Sequence, residues 1–327
     1  MPRLSCITTV YDDGPQLFTA VNAILSQSFG DFEFLIVDDG SGPATKALLK
    51  ALDDPRIRLI EQANDGLSSA RNVALRQAQG DYICFLDADD SRPDWALAAI
   101  VEQLDREQPD LLLCPGIFSP EHSAPLPFFD AAIFERLRQM LRKDQATVQH
   151  PEAEAIWSLA QLIEPQSANK VVRRAMVDRF GLRFPDTHFF EDIFFHTTAL
   201  AAAERLSFAP SPCFTYRRRY GRPQITADHG LRRFEQIAVT RLTLDSPASS
   251  RWMKRRLYRS AVLAACLKLA EWCEHSVSHV HKTHFNQALR NVMSMIDPQY
   301  RDFDRDGLLS LGVPVFGLNY STDMTHA

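Results

Sequence analysis

Three short apolar runs, each ending in a cluster of side-chain oxygens, constrain this chain more than any other feature. Residues 4–10 read LSCITTV and lead into YDD, residues 32–37 read FEFLIV and lead into DDGS, and residues 82–86 read YICFL and lead into DADD. Near-continuous apolar runs of this length are what strands buried on both faces require. Between them the spacing predicts helices. Leu17, Val21, Ile24 and Leu25 repeat at helical intervals, a second helix is expected over 44–52, and a third runs from Ser68 to about Gln77, stopped by Gly80. A strand over 57–60, a helix begun at Pro93 and a strand over 111–114 continue the alternation. Such repetition implies right-handed crossovers and an open, mostly parallel, Rossmann-like α/β sheet flanked by helices. Ligands bind these sheets at the carboxyl ends of the strands, so the three oxygen clusters should face one crevice.

Beyond the sheet the pattern changes. Residues 115–129 hold four prolines and no periodicity, which reads as a long loop over the crevice. Helical spacing returns over 131–163. A compact block over 167–208 holds SANKVVRR and FFEDIFFH, and TYRRRYGRPQIT then reads as a strand end running into an irregular loop. From Leu231 onward the chain looks helical. A boundary near Asp228 would give a catalytic α/β domain over 1–228, with a nucleotide-binding half (1–115) and an acceptor half (116–228), followed by an all-helical region over 229–327. A chain of 327 residues is long enough for such a core and appendage.

Charge and cysteine usage narrow the class. A net charge of −5 argues against general nucleic-acid binding, which needs a broad cationic face. Six cysteines without a CxxC pair read as buried thiols in a reducing compartment. No charged leader precedes an apolar stretch, and AVLAACLKLAEWC is too short for a bilayer and contains Lys268 and Glu271. A cytoplasmic protein is expected.

Asp87-Ala88-Asp89-Asp90 carries the strongest chemical signal. Carboxylates packed this densely repel one another, and a hard divalent cation, Mg²⁺ or Mn²⁺, relieves the cost. Strand geometry places Asp87 and Asp89 on one face. The plainer reading is an acidic strand end that caps the following helix.

In order and spacing, TTVYDDG, ILSQSFGDFEFLIVDDGS, NDGLSSARNVALRQAQGDYICFLDADD, SANKVVRR, FFEDIFFH and TYRRRYGRPQIT resemble the family-2 glycosyltransferases of the GT-A fold, over about the first 228 residues. The resemblance implies an inverting transferase that uses a nucleoside-diphosphate sugar. Thr9 and Tyr11 match the first strand end, where an aromatic ring packs on the nucleobase; the family usually has Asn where this chain has Asp12. Asp39 matches the carboxylate that accepts from a pyrimidine N–H, favouring a UDP-sugar. Arg71 matches a contact to donor phosphate and base edge, Asp89 the metal ligand of the DxD motif, and Asp87 the ribose or a metal-bound water. Asn169 and Lys170 match a pair near the acceptor and sugar, with Lys170 equally able to bridge to Glu191 or Asp192. Asp192, beside Glu191, matches the base. Some relatives carry a further metal-binding His after the YRR segment; here that loop offers Tyr220, Gln224, Thr226 and His229. Bacterial surface-polysaccharide or glycolipid synthesis is where the family most often works.

The chemistry is coherent with those roles. Displacing a nucleoside diphosphate builds negative charge on phosphate oxygens, which a divalent ion and arginines stabilise. Arg217 and Arg219 share a face if their strand continues, although a solvated basic turn is the simpler alternative. FFEDIFFH alone would read as a helix whose N-terminal acids suit its dipole. One base and no nearby nucleophile imply single displacement. In the helical region, Arg251, Lys254, Arg255, Arg256 and Arg259 with interleaved apolar residues offer a peripheral contact to anionic lipid at the inner membrane face, or a solvated helix face. His275, His279, His281 and His284 crowd one segment without a completing carboxylate or thiolate. The competing readings are a non-catalytic sugar-nucleotide-binding scaffold and a sugar nucleotidyltransferase; the latter lacks its Gly- and basic-rich amino-terminal loop.

Overall fold

The computed structural model of the protein describes residues 1–120, 123–141, 145–187, 189–218 and 229–314. The strands are β1 (Leu4–Val10), β2 (Phe32–Asp39), β3 (Ile57–Gln62), β4 (Tyr82–Phe85), β5 (Leu111–Leu113), β6 (Gly116–Ser119), β7 (Leu126–Pro127), β8 (Gln145–Thr147), β9 (Lys170–Arg173), β10 (Arg205–Phe208) and β11 (Phe214–Arg217). The helices are α1 (Leu17–Leu25), α2 (Pro43–Lys50), α3 (Leu67–Gln77), α4 (Ala96–Glu107), α5 (Ala131–Met140), α6 (Ala153–Leu162), α7 (Arg174–Phe180), α8 (Glu191–Ala202), α9 (Glu235–Asp245), α10 (Arg256–Ser276), α11 (Lys282–Ser294) and α12 (Arg305–Ser310).

The main sheet has eight strands in the order β3-β2-β1-β4-β9-β5-β10-β8. Strands β3, β2, β1 and β4 pair in parallel, as the buried runs and intervening helices demand. Strand β9 enters antiparallel to both β4 and β5, so its first residue, Lys170, starts at the end of the sheet where β4 releases DADD. A second sheet, β11-β6-β7, stands beside it and joins it through a bridge between Ser91 and Thr215. Two apolar cores cover the main sheet: one involves α1 and α4, the other α3, α5, α6, α8 and the carboxyl-terminal helices.

Two expectations from local pattern need correction. The proline-rich 115–129 segment contains β6 and β7. Its prolines lie outside β6 or on β7, a sheet edge where a missing N–H costs little. The helical pattern over 131–163 is broken by β8, whose three residues pair with distant β10. No local periodicity reports such a pairing. The helical reading of the carboxyl-terminal region holds through α12. The expected boundary at Asp228 lies outside the described residues. Helices on either side of it share one core: Trp157 of α6 is fully buried and stacks on Trp252 at 4.9 Å, while Tyr258, Val262 and Leu267 of α10 belong to the same cluster. No helix among the described residues is long and apolar enough to cross a membrane. All six cysteines are buried thiols.

Removing the Trp157 side chain should cost about 3–5 kcal/mol through lost burial and a residual cavity. Urea unfolding of Trp157→Ala should show one transition, shifted down, for both parts of the chain. Two separated transitions would contradict a shared core.

Candidate active site

Arg71, in the first turns of α3, lies at the centre of the site with its side chain 2 % exposed. One guanidinium nitrogen donates to Glu191 Oε1 at 2.7 Å and to Asp192 Oδ1 at 2.9 Å; the other terminal nitrogen donates to Asp87 Oδ1 at 2.7 Å. The group also sits 5.1 Å from the centre of the Phe184 ring. A planar guanidinium with several fixed donors is suited to this task, and lysine is not. The end of β4 and the start of α8, more than a hundred residues apart in sequence, are thereby tied to one cation.

Burial alone would lower the pKa of Arg71, but Asp192, Asp87 and Glu191 reverse that and hold it protonated. Burial raises Glu191 above the ordinary carboxylate range against the pull of Arg71. Withdrawal from water, reinforced by the like charges of Glu191 and Asp87, pushes Asp192 up to about 7 despite Arg71. Asp192 is the more accessible of the two acids, with its side chain 23 % exposed against 7 % for Glu191. Both occupy the first turn of α8, where the helix dipole favours negative charge.

The approach to α8 is fixed by contacts that sequence patterns do not announce. Asn72 clamps Phe184 through two hydrogen bonds, donating to its carbonyl at 3.0 Å and accepting from its N–H at 2.9 Å. Phe190, immediately before the acids, has φ +61°, a left-handed conformation that is costly for a bulky residue and marks functional segments. Its ring packs against Phe189 and against Trp272 of α10. Arg92, 4 % exposed, donates to the carbonyls of Phe85, Ala168 and Cys213, locking β4, the segment before β9 and the approach to β11 together. The position of Asn72 beside Arg71 was the one available hint.

The remaining expected residues fall as follows. Thr9 is the next-to-last residue of β1, and exposed Tyr11 follows the strand directly. Asp12 has φ +51° and accepts from the Gly42 N–H at 2.7 Å. The Asp39 carboxylate already accepts from the Gln62 and Asn64 side chains and from the N–H groups of Asp65 and Gly66. Asp87 and Asp89 are both partly exposed at the crevice end of β4. Among the described residues no group of three or more His, Cys, Asp or Glu side chains is arranged to hold a metal. Asn169 and Lys170 are completely buried: Lys170 Nζ donates to Gln166 O and Asn169 Oδ1, and it forms no ion pair with Glu191 or Asp192. Burial draws the Lys170 ammonium down to about 7, opposed by Asp192 and Asp130. Arg217 is exposed at the end of β11, with its N–H donating to Asp90 Oδ1. Arg219, Tyr220, Gln224 and Thr226 lie outside the described residues, and His229 is bonded to Ser276 O near the end of α10.

Residues 5–157 match the family model described as glycosyl transferase family 2. That match spans a little under half of the chain. The chain is 30 % identical over 226 residues to the uncharacterized glycosyltransferase EpsJ of Bacillus subtilis, a match covering 66 % of this chain and 61 % of that one. The chain thus spans about three fifths of that relative's length. Among solved structures, residues 1–349 of S. aureus TarS in complex with UDP-GlcNAc superpose with a TM-score of 0.70 at 19 % identity, covering 99 % of this chain and 88 % of that one. The mannosyltransferase PcManGT of Pyrobaculum calidifontis, in complex with GDP-Man and Mn²⁺, superposes at 0.53 with 18 % identity, covering 99 % of this chain and 84 % of that one. The fold is therefore GT-A, as the family-2 resemblance implied.

Replacing Arg71 with Met should cost about 3–5 kcal/mol, because it leaves buried carboxylates without their counter-charge. Urea denaturation near neutral pH measures this; a loss below about 1 kcal/mol would remove Arg71 from the centre of the site.

Proposed function

We propose that the protein is an inverting, metal-dependent glycosyltransferase that moves a sugar from a UDP-sugar onto a hydroxyl of a glycan or glycolipid. The observation that carries this reading is the Arg71 junction, which ties an acid of the DxD strand end to the two acids at the start of α8. It gathers the groups for a leaving diphosphate and the groups for an incoming hydroxyl around one rigid cation.

In this reading Asp192 takes the proton from the acceptor hydroxyl as the new bond forms. Arg71 fixes its orientation, and its greater exposure favours it over Glu191 as the acid that meets substrate. The same guanidinium nitrogen holds Glu191 and Asp192, so both lie on one side of the site. A double displacement would need a second carboxylate on the opposite face of the sugar, so this arrangement supports single displacement and inversion.

Asp89, with Asp87, would hold the divalent cation. Two partly exposed carboxylates fit an ion of the Mg²⁺ type, which is commonly bound through one or two carboxylates plus substrate phosphates. When bound, the ion supplies Lewis-acid stabilisation of the leaving diphosphate. Arg217 and Arg219 are assigned to the same phosphates, and Tyr11 and Thr9 to the nucleoside. Asp39 would take the pyrimidine N–H in exchange for one of the amides it now accepts from. The basic residues of the 251–259 segment, one reading of which is contact with anionic lipid, are mostly paired within the chain. Arg251 pairs with Glu204, Arg256 with Asp302 and Asp304, and Arg259 with Asp302, so those charges already serve the fold.

Asp192→Asn should still bind its UDP-sugar but transfer about 10²–10⁴-fold more slowly. The working form of Asp192 is the deprotonated one, so wild-type rate should climb as pH rises through about 7. That limb should be missing from the Asp192→Asn profile. A panel of UDP-sugars assayed for donor hydrolysis and transfer between pH 5 and 9 tests both points. Transfer unaffected by the substitution would refute the role of Asp192.

A further inference from the structure

Helix α8, which carries Glu191 and Asp192, starts from a residue that helix ends do not ordinarily choose. Phe190 flanks its N-terminus with φ +61° and makes no side-chain bond to the free N–H groups of the first turn. That position usually takes Ser, Thr, Asp or Asn in an extended conformation, and the left-handed region is costly for any residue with a Cβ. Phe190 therefore supplies neither a cap nor an easy backbone. What it supplies is a ring, and the ring is held.

It meets Phe189 edge to face at 4.4 Å and Trp272 of α10 edge to face at 5.7 Å. Arg233, wholly buried in the turn Leu231–Phe234 that leads into α9, completes the group. Its guanidinium lies 4.3 Å from the centre of the Trp272 ring and 5.8 Å from that of Phe189, and Nη1 donates to Cys273 Sγ at 3.7 Å. A guanidinium over an aromatic face is attractive, and more so when withdrawn from water. Arg233, Trp272, Phe190 and Phe189 thus form a closed circuit of contacts between the carboxyl-terminal helices and the two residues just before the acids.

The segment that enters α8 is fixed at two points. Asn72 clamps Phe184 at its start, and Trp272 with Arg233 grips Phe190 at its end. The backbone of Phe190 sets the direction in which the first turn of α8 leaves the loop. That direction decides whether Glu191 and Asp192 both reach one nitrogen of Arg71, as they do at 2.7 and 2.9 Å. Trp272 is itself 41 % exposed, so its ring can be removed without opening a sealed cavity.

We propose that Trp272, backed by Arg233, is a positioning residue for transfer: it holds the Phe190 backbone in its left-handed conformation and thereby keeps Asp192 aimed at Arg71 and the acceptor hydroxyl. This role rests on the transferase reading above and adds to it a residue that acts through Phe190 and touches no reacting atom.

The test uses the full chain with Trp272→Ala, Trp272→Phe, Phe190→Gly and the double variant Phe190→Gly with Trp272→Ala. Turnover of UDP-glucose and UDP-N-acetylglucosamine is followed by release of UDP, and their affinities by calorimetry. Trp272→Ala should lower kcat by about tenfold or more with KM and donor affinity unchanged. Trp272→Phe keeps an aromatic face for Arg233 and an edge for Phe190, and should restore most of the rate. Glycine takes a positive φ freely, so in the Phe190→Gly background the loss of Trp272 should cost less than about threefold. A second readout needs no substrate: exchange of the Arg71 guanidinium N–H groups, slowed by burial and by their carboxylate bonds, followed by ¹⁵N NMR. Trp272→Ala should speed it by about tenfold, and Trp272→Phe should leave it slow. If wild type turns over a UDP-sugar and Trp272→Ala does so equally well, the transferase reading stands and the proposal is wrong. An equal loss in the Phe190→Gly background would also overturn it, because Trp272 would then act other than through that backbone. If wild type turns over neither UDP-sugar while Trp272→Ala still speeds exchange at Arg71, the grip on the acids stands and the transferase reading fails.

Discussion

The buried Arg71 junction is the constraint on which the rest of the site depends. One guanidinium faces three carboxylates from two elements that local sequence does not connect. Desolvating so many charges is unfavourable unless geometry is good and hydrogen bonds are satisfied. Here each acid receives a direct bond, and Phe184 covers the cation. Such an arrangement holds the acids in fixed orientations at the cost of a strained balance of charge. Asp192 expresses that balance in its raised pKa.

The fold supplies the rigidity this requires. Strand β4 brings Asp87 and Asp89 to the crevice, and α3 brings Arg71 opposite them. The carboxyl-terminal helices complete the arrangement: Trp272 of α10 packs on Phe190, whose left-handed backbone turns the chain into the acids of α8. Helix α10 also packs its apolar face into the core that contains α6 and α8. The carboxyl-terminal helices, expected as a separate appendage, thus pack against the amino-terminal fold beside the start of α8.

The sheet was legible wherever burial wrote a continuous apolar run: β1, β2 and β4 stand within a residue or two of their expected bounds. Strands β6, β7 and β8 were not, because their pairing partners lie elsewhere and their own residues are few or interrupted by proline. The site was legible residue by residue and not as a constellation. Asp87, Glu191, Asp192 and Arg71 each stood out from their motifs, but only the fold shows that the arginine meets all three acids. Lys170 and Asn169, which the resemblance matched to a pair near acceptor and sugar or, for Lys170, to a bridge to Glu191 or Asp192, are enclosed and brace each other.

The most direct measurement of the central claim is calorimetric titration of wild type and Asp89→Ala with UDP and a series of UDP-sugars, with and without Mn²⁺. The account predicts that Mn²⁺ strengthens binding of UDP and of at least one UDP-sugar to wild type, and that Asp89→Ala abolishes this metal dependence. Wild-type protein that binds none of them in the presence of Mn²⁺, or Asp89→Ala that retains the full metal effect, would contradict it.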